Sequence, residues 1–129
     1  MKLAYVDSSC VVAICFGEPG HERVVNQLDG FDRLLASNLM EAELRAALVR
    51  EGAGNREADL LAGFTWIYPN RPLTAEYRRL LAAGPLRGAD LWHLACALFL
   101  APEARDLAFL TLDQQQQAVA RELGFAALE

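Results

Sequence analysis

Lysine is nearly absent from this chain. Lys2 stands alone, so positive charge rests on arginine: 12 of 129 residues are Lys or Arg against 17 Asp or Glu, a formal net charge of −5. An acidic balance does not advertise a nucleic-acid binder. Arginine forks grip phosphate bidentately, however, so even a modest Arg patch could hold a nucleic-acid backbone. Histidine is as scarce, with only His21 and His93. The three cysteines, Cys10, Cys15 and Cys96, form no C-x-x-C pair, which argues against zinc. Their odd number points to free, mostly buried thiols rather than a disulfide framework. No apolar run approaches the ~20 residues that span a membrane. The opening MKLAYVDSSC has too short an apolar segment for a signal peptide, and Asp7 breaks it. Repeats and low-complexity tracts are also missing. The expectation is a cytoplasmic protein with no membrane partner. Hydrophobic residues make up 53% of the chain, enough for a sizeable core in one domain over residues 1–129.

What is present reads as strands alternating with helices. Leu3–Val6 is a first strand. Residues 10–15 are small and apolar, and Gly17-Glu18-Pro19-Gly20 breaks them. Residues 20–29 suit a short helix, and Leu34–Ser37 a second buried strand. Asn38 starts a helix to about Glu51, which Gly52 closes. Asn55 begins another, to about Phe64. Trp66–Tyr68 is a third strand, ended by Pro69. Thr74 caps a helix through Ala83, stopped by Gly84-Pro85. Asp90 opens a strongly apolar helix that ends near Ala101-Pro102. Leu107–Leu112 is the clearest strand, and Asp113 starts a last helix capped by Gly124. The alternation predicts an α/β fold with a parallel sheet.

Four carboxylates sit at the edges of these buried segments. Asp7 and Asp113 each follow a strand's carboxyl end, where ligands bind in such sheets. Each also fits a helix cap, and Asp113-Gln114-Gln115-Gln116 matches a capping box. Asp90 is a possible N-cap, with His93 one turn on, either orienting a carboxylate or satisfied in the core. Glu41 and Glu43 compete for one role. Asn38-Leu39-Met40-Glu41 matches a capping box, and Glu41 faces Arg45. Glu43 lies beside Met40 on the inward side, so it takes the functional role. Close carboxylates repel one another unless a cation neutralises them. Mg²⁺ or Mn²⁺ takes hard oxygen ligands and suits such a set.

These residues resemble the PIN-domain ribonucleases, especially the VapC-type toxins of toxin–antitoxin pairs. YVDSS is similar to that family's opening strand and first aspartate. SNLMEAEL resembles its glutamate helix, with Glu43 in the Ala-Glu-Leu position. GADLWHLACAL is similar to its D-x-x-H-x-A segment, the most specific piece. FLTLD resembles its late strand and closing aspartate. The match runs nearly the whole chain.

The resemblance implies a PIN-like three-layer fold, a central, mostly parallel sheet of four to five strands flanked by helices. It implies an endoribonuclease that cleaves phosphodiesters by metal-activated water. Asp7, Glu43, Asp90 and Asp113 would be catalytic. Asp7 and Asp90 would ligate Mg²⁺ or Mn²⁺ directly, joined in some arrangements by Glu43 and Asp113. Ser9 and Thr111 would be supporting groups. The implied partners are an RNA substrate, a cognate VapB-like antitoxin and a second copy of the chain, since Leu, Phe and Trp on the helices suggest a homodimer. Two departures stand out. Gln114 and Gln115 follow the last aspartate where the family often has a basic residue. Trp92 is bulky beside the D-x-x-H pattern and is a candidate for a dimer or antitoxin contact.

Rivals fit less well. A phosphoacceptor receiver needs a second acid beside the first and a late lysine. A haloacid-dehalogenase-like phosphatase needs D-x-D after the first strand, where this chain has Asp7-Ser8-Ser9. The serious alternative is a non-catalytic PIN-like module that binds RNA or protein without cutting.

Overall fold

The computed structural model describes residues 1–52 and 60–126. Its strands are β1 (Leu3–Val6), β2 (Arg33–Ser37), β3 (Phe64–Ile67) and β4 (Ala108–Leu110), all paired in parallel in the order β3-β2-β1-β4. The helices are α1 (Ser8–Cys15), α2 (His21–Asp29), α3 (Asn38–Arg50), α4 (Thr74–Ala83), α5 (Gly88–Leu100) and α6 (Gln114–Leu123).

The sheet is buried on both faces, as parallel strands require. Strand residues alternate between two cores. Ala4, Val6, Ala36, Ala108 and Leu110 pack with α1, α2 and α3. Tyr5, Leu35 and Phe109 pack with α4, α5 and α6 on the other face. The result is a helix–sheet–helix sandwich, the α/β architecture that the alternating sequence predicts.

Strand order carries the functional consequence. The chain runs from β1 to β2 to β3 in one direction, then returns to lay β4 on the other side of β1. The order therefore reverses between β1 and β4. A crevice opens at such a point beyond the carboxyl ends of the strands. The residues that leave those two ends are Asp7 and Thr111.

Several boundaries differ from the sequence reading. Residues 10–15 belong to α1; their uniform apolarity hides the helical period because both sides of this helix are covered. Asn38 is the first residue of α3, and Ser37 is its N-cap. The third helical position is therefore Met40, which is buried, so the capping box proposed for Glu41 cannot form. Glu41 instead binds Arg45 at 2.8 Å. Leu73, not Thr74, caps α4, and Arg87 caps α5, which places Asp90 inside the first turn. The helix predicted from Asn55 falls largely outside the described residues, and Phe64, its expected end, opens β3. Gly52 and Gly124 close their helices with positive φ of 72° and 96°, a conformation open to glycine at little cost. Cys10, Cys15 and Cys96 are buried, and none of them forms a disulfide among the described residues. Burial pushes the thiols of Cys10 and Cys96 up to about 12, so neither is a ready nucleophile.

Candidate active site

Asp7 is where β1 becomes α1. Its backbone N–H still bonds Leu110 of β4 at 2.9 Å, extending the sheet by one rung. Its extended backbone makes it the N-cap of α1. The carboxylate is buried, yet well supplied with donors. Oδ2 accepts from the Ser9 hydroxyl at 2.7 Å, the Ser9 backbone N–H at 3.3 Å and the Thr111 hydroxyl at 3.0 Å.

The same hydroxyls lock the chain beyond β4. Ser9 Oγ accepts from the Leu112 N–H at 3.0 Å, and Thr111 Oγ1 accepts from the Asp113 N–H at 3.0 Å. Asp113 caps α6 by accepting the Gln116 N–H at 2.8 Å. The capping predicted for Asp113 is present, but Gln116 does not reach back to complete the box. Its side chain is fully buried. Thr111 Oγ1 lies 2.7 Å from Gln116 Oε1, and Gln116 Nε2 donates to the Asp90 carbonyl at 3.2 Å. Thr111 has one hydroxyl proton for Asp7 and Gln116. It therefore bridges the two acceptors rather than satisfying both at once. Gln116 thus ties the β4–α6 turn to the first turn of α5, which carries Asp90.

Glu43 is fixed from the other side of the crevice. α3 buries Met40, Leu44, Ala47 and Leu48 at helical spacing, and Glu43 sits at the edge of that stripe. Its Oε1 lies 2.7 Å from His93 Nε2. His93 is buried, and its Nδ1 lies 2.8 Å from the Tyr5 hydroxyl. A carboxylate only accepts, so Nε2 carries the proton towards Glu43 and Tyr5 donates to Nδ1. Burial is the first cause that raises the Tyr5 pKa, which keeps that proton in place. Asp7 Oδ1 lies 3.7 Å from His93 Nε2, so one imidazole faces two of the acids.

Asp90 completes the group. Its pKa is raised, first by burial, then by the negative charges of Asp113 and Asp7, with Glu43 adding to the effect and His93 opposing it. One acid thus feels the other three. The structure brings Asp7, Glu43, Asp90 and Asp113 to one crevice, with Ser9 and Thr111 on Asp7. Among the described residues, however, no three His, Cys, Asp or Glu side chains converge closely enough to hold one ion between them.

Three contributors escaped the sequence reading. Tyr5 looked like an ordinary strand residue. Gln116 looked like a cap, although Gln116, Val119 and Ala120 form the buried stripe of α6, and a polar residue in such a stripe is a signal. Trp92 was placed at an interface. Its indole N–H donates to Ser37 Oγ at 3.0 Å, and its partly buried ring packs against the core behind the site.

The fold is a three-layer α/β sandwich with acids gathered at its switch point. The PIN-domain family model matches residues 4–122. The chain belongs to the PIN-domain family, which is generally a family of nucleases. No curated protein matches it. No helix among the described residues is long and apolar enough to cross a membrane.

Proposed function

We propose that the protein is a Mg²⁺- or Mn²⁺-dependent endoribonuclease, the toxin of a VapBC-type pair. The observation that carries this reading is the grouping of the acids: Asp7 and Glu43 meet at His93, and Thr111 and Gln116 tie Asp113 and the first turn of α5 to Asp7. Carboxylates gathered in this way repel one another unless a cation neutralises them, and their oxygen donors fit a hard one. Mg²⁺ retains several waters and needs only one or two carboxylates, so acids that do not close on a single point suit a partly hydrated ion.

In this reading Asp7 and Asp90 ligate the ion, while Glu43 and Asp113 act directly or through water. When bound, the ion would supply charge stabilisation at the phosphoryl group and lower the pKa of an attacking water. Ser9 and Thr111 hold the Asp7 carboxylate in place. His93, held by Tyr5, presents Glu43 to the crevice, where it can take a proton from the attacking water. Attack from the side opposite the 3′ oxygen leaves a 5′ phosphate and a 3′ hydroxyl.

One observation favours the second reading, a PIN-like module that binds without cutting: no three described acids converge on a point. The hydrogen bonds that hold the buried Asp7 and the half-buried Glu43 argue for catalysis, because a binding surface has no need to fix acids so tightly.

RNA substrate, an antitoxin and a homodimer are the partners proposed. Leu81 of α4 and Leu100 of α5 are exposed and support a self-association surface; among the described residues, no Phe or Trp is an exposed large apolar side chain. The toxin role has a direct test. Induced expression of the chain alone is expected to arrest bacterial growth, and the Asp7→Asn protein at equal level is not. Equal growth under both would remove the toxin assignment.

A further inference from the structure

Beside the acids lies a cavity of about 420 Å³ that no step above uses. It opens along the outer edge of β4, where Ala126 bridges Ala108, between α2 and α6. Its wall includes Thr111, the residue whose hydroxyl bonds Asp7. Phe109 and Phe125 give it a buried apolar floor, with ring centroids 5.9 Å apart. Gln27 and Gln117 line it as well, and Gln117 is held by the Thr111 carbonyl at 2.9 Å. Arg23 and Arg121 stand in the same wall, both exposed.

Those two arginines differ from the ones that the chain pairs off. Arg45, Arg71 and Arg105 face acids, and Arg79 donates to the Pro102 carbonyl. Arg23 and Arg121 have no carboxylate partner among the described residues. In a chain of net charge −5, two such cations around one cavity form a local exception. Their setting combines phosphate-binding forks, amide groups and an apolar floor, the three chemistries that a nucleotide presents to a protein.

We propose that this cavity is a nucleotide subsite, taking the RNA residue next to the phosphodiester held at the acids. Arg23 and Arg121 grip its phosphates, and the cavity receives its base. The inference rests on the reading of the protein as an RNA-binding enzyme. It also explains how an acidic active site retains a polyanion: the strand is anchored one residue away from the carboxylates, where the surface is cationic. An acidic peptide would satisfy the arginines equally. The shared wall at Thr111 favours a ligand that continues into the acid crevice, which a nucleic-acid strand does.

The test uses fluorescence anisotropy with labelled single-stranded RNA and Mn²⁺ in the Asp7→Asn background, so that the probe is not consumed. Replacing Arg23 and Arg121 together by Ala is expected to weaken binding by about tenfold or more and to lower the slope of log affinity against log salt by roughly 1.4, the value for two lost single-strand phosphate contacts. Replacing Arg50 and Arg78 removes the same charge elsewhere and is expected to leave affinity within about twofold, because distant exposed charges are screened. Unchanged binding in the first variant, or an equal loss in the second, would overturn the subsite. So would intact RNA binding accompanied by loss of an acidic peptide, which would assign the cavity to a protein partner. Binding is read without cleavage, so a chain that binds RNA through Arg23 and Arg121 but never cuts would defeat the nuclease reading and leave the subsite standing.

Discussion

Asp7→Asn is expected to reduce RNA cleavage by ~10²–10³-fold or more, the range seen when a group stabilising developing charge is removed. The chain should stay folded. Asn accepts hydrogen bonds as Asp does, so its carbonyl can keep the Ser9 backbone and hydroxyl bonds now made at 3.3 and 2.7 Å. Asn also caps helices about as well as Asp, so the stability change should stay within ~1 kcal/mol. The substitution removes one negative charge and one ligand oxygen while the packing survives. Cleavage of a labelled RNA, read beside a thermal melt, separates the two effects. Near-normal activity in the folded variant would remove Asp7 from the catalytic group.

Asp90→Asn is expected to do something rarer, raising stability while destroying activity. The raised pKa means that folded Asp90 holds its proton more readily than unfolded Asp90 does. Its ionisation therefore destabilises the fold. The penalty is absent well below the ordinary carboxylate value of 3.8, grows as pH rises through that value, and is complete above the raised one. At neutral pH in EDTA, the Asn variant should melt at a higher temperature than the wild type, and the difference should shrink on acidification. Mn²⁺ should reverse the ranking. An ion that binds only the folded state adds about 2.7 kcal/mol at a hundredfold excess over its dissociation constant. The wild type should gain that stabilisation and the variant little of it, with cleavage down by ~10²-fold. A variant that melts no higher in EDTA, or that keeps its full response to Mn²⁺, would contradict the mutual repulsion on which the site reading depends.

The arrangement explains why so much of the fold was legible. β1, β2 and β4 are short apolar runs between helices, and burial on both faces of a parallel sheet demands such runs. Acids just past strand ends were readable because parallel sheets present those ends on one edge. The choice of Glu43 over Glu41 followed from helical geometry, and the two side chains do diverge, to His93 and Arg45 respectively. What stayed hidden depends on pairings between distant segments. Nothing local says that β4 returns beside β1, that Gln116 spans to the Asp90 carbonyl, or that Trp92 turns inward to Ser37. The capping box at Glu41 misled because one residue of difference in the helix start moved Met40 into the position that the motif required.

The central claim is that these four acids cut RNA with the help of a divalent ion. Its most direct measurement incubates the purified chain with total RNA in Mn²⁺, in Mg²⁺ and in EDTA, and maps the ends produced. The account predicts discrete internal cuts with either metal, each leaving a 5′ phosphate and a 3′ hydroxyl, and none in EDTA. Equal cutting in EDTA, or 2′,3′-cyclic phosphate ends, would contradict metal-assisted hydrolysis at this site.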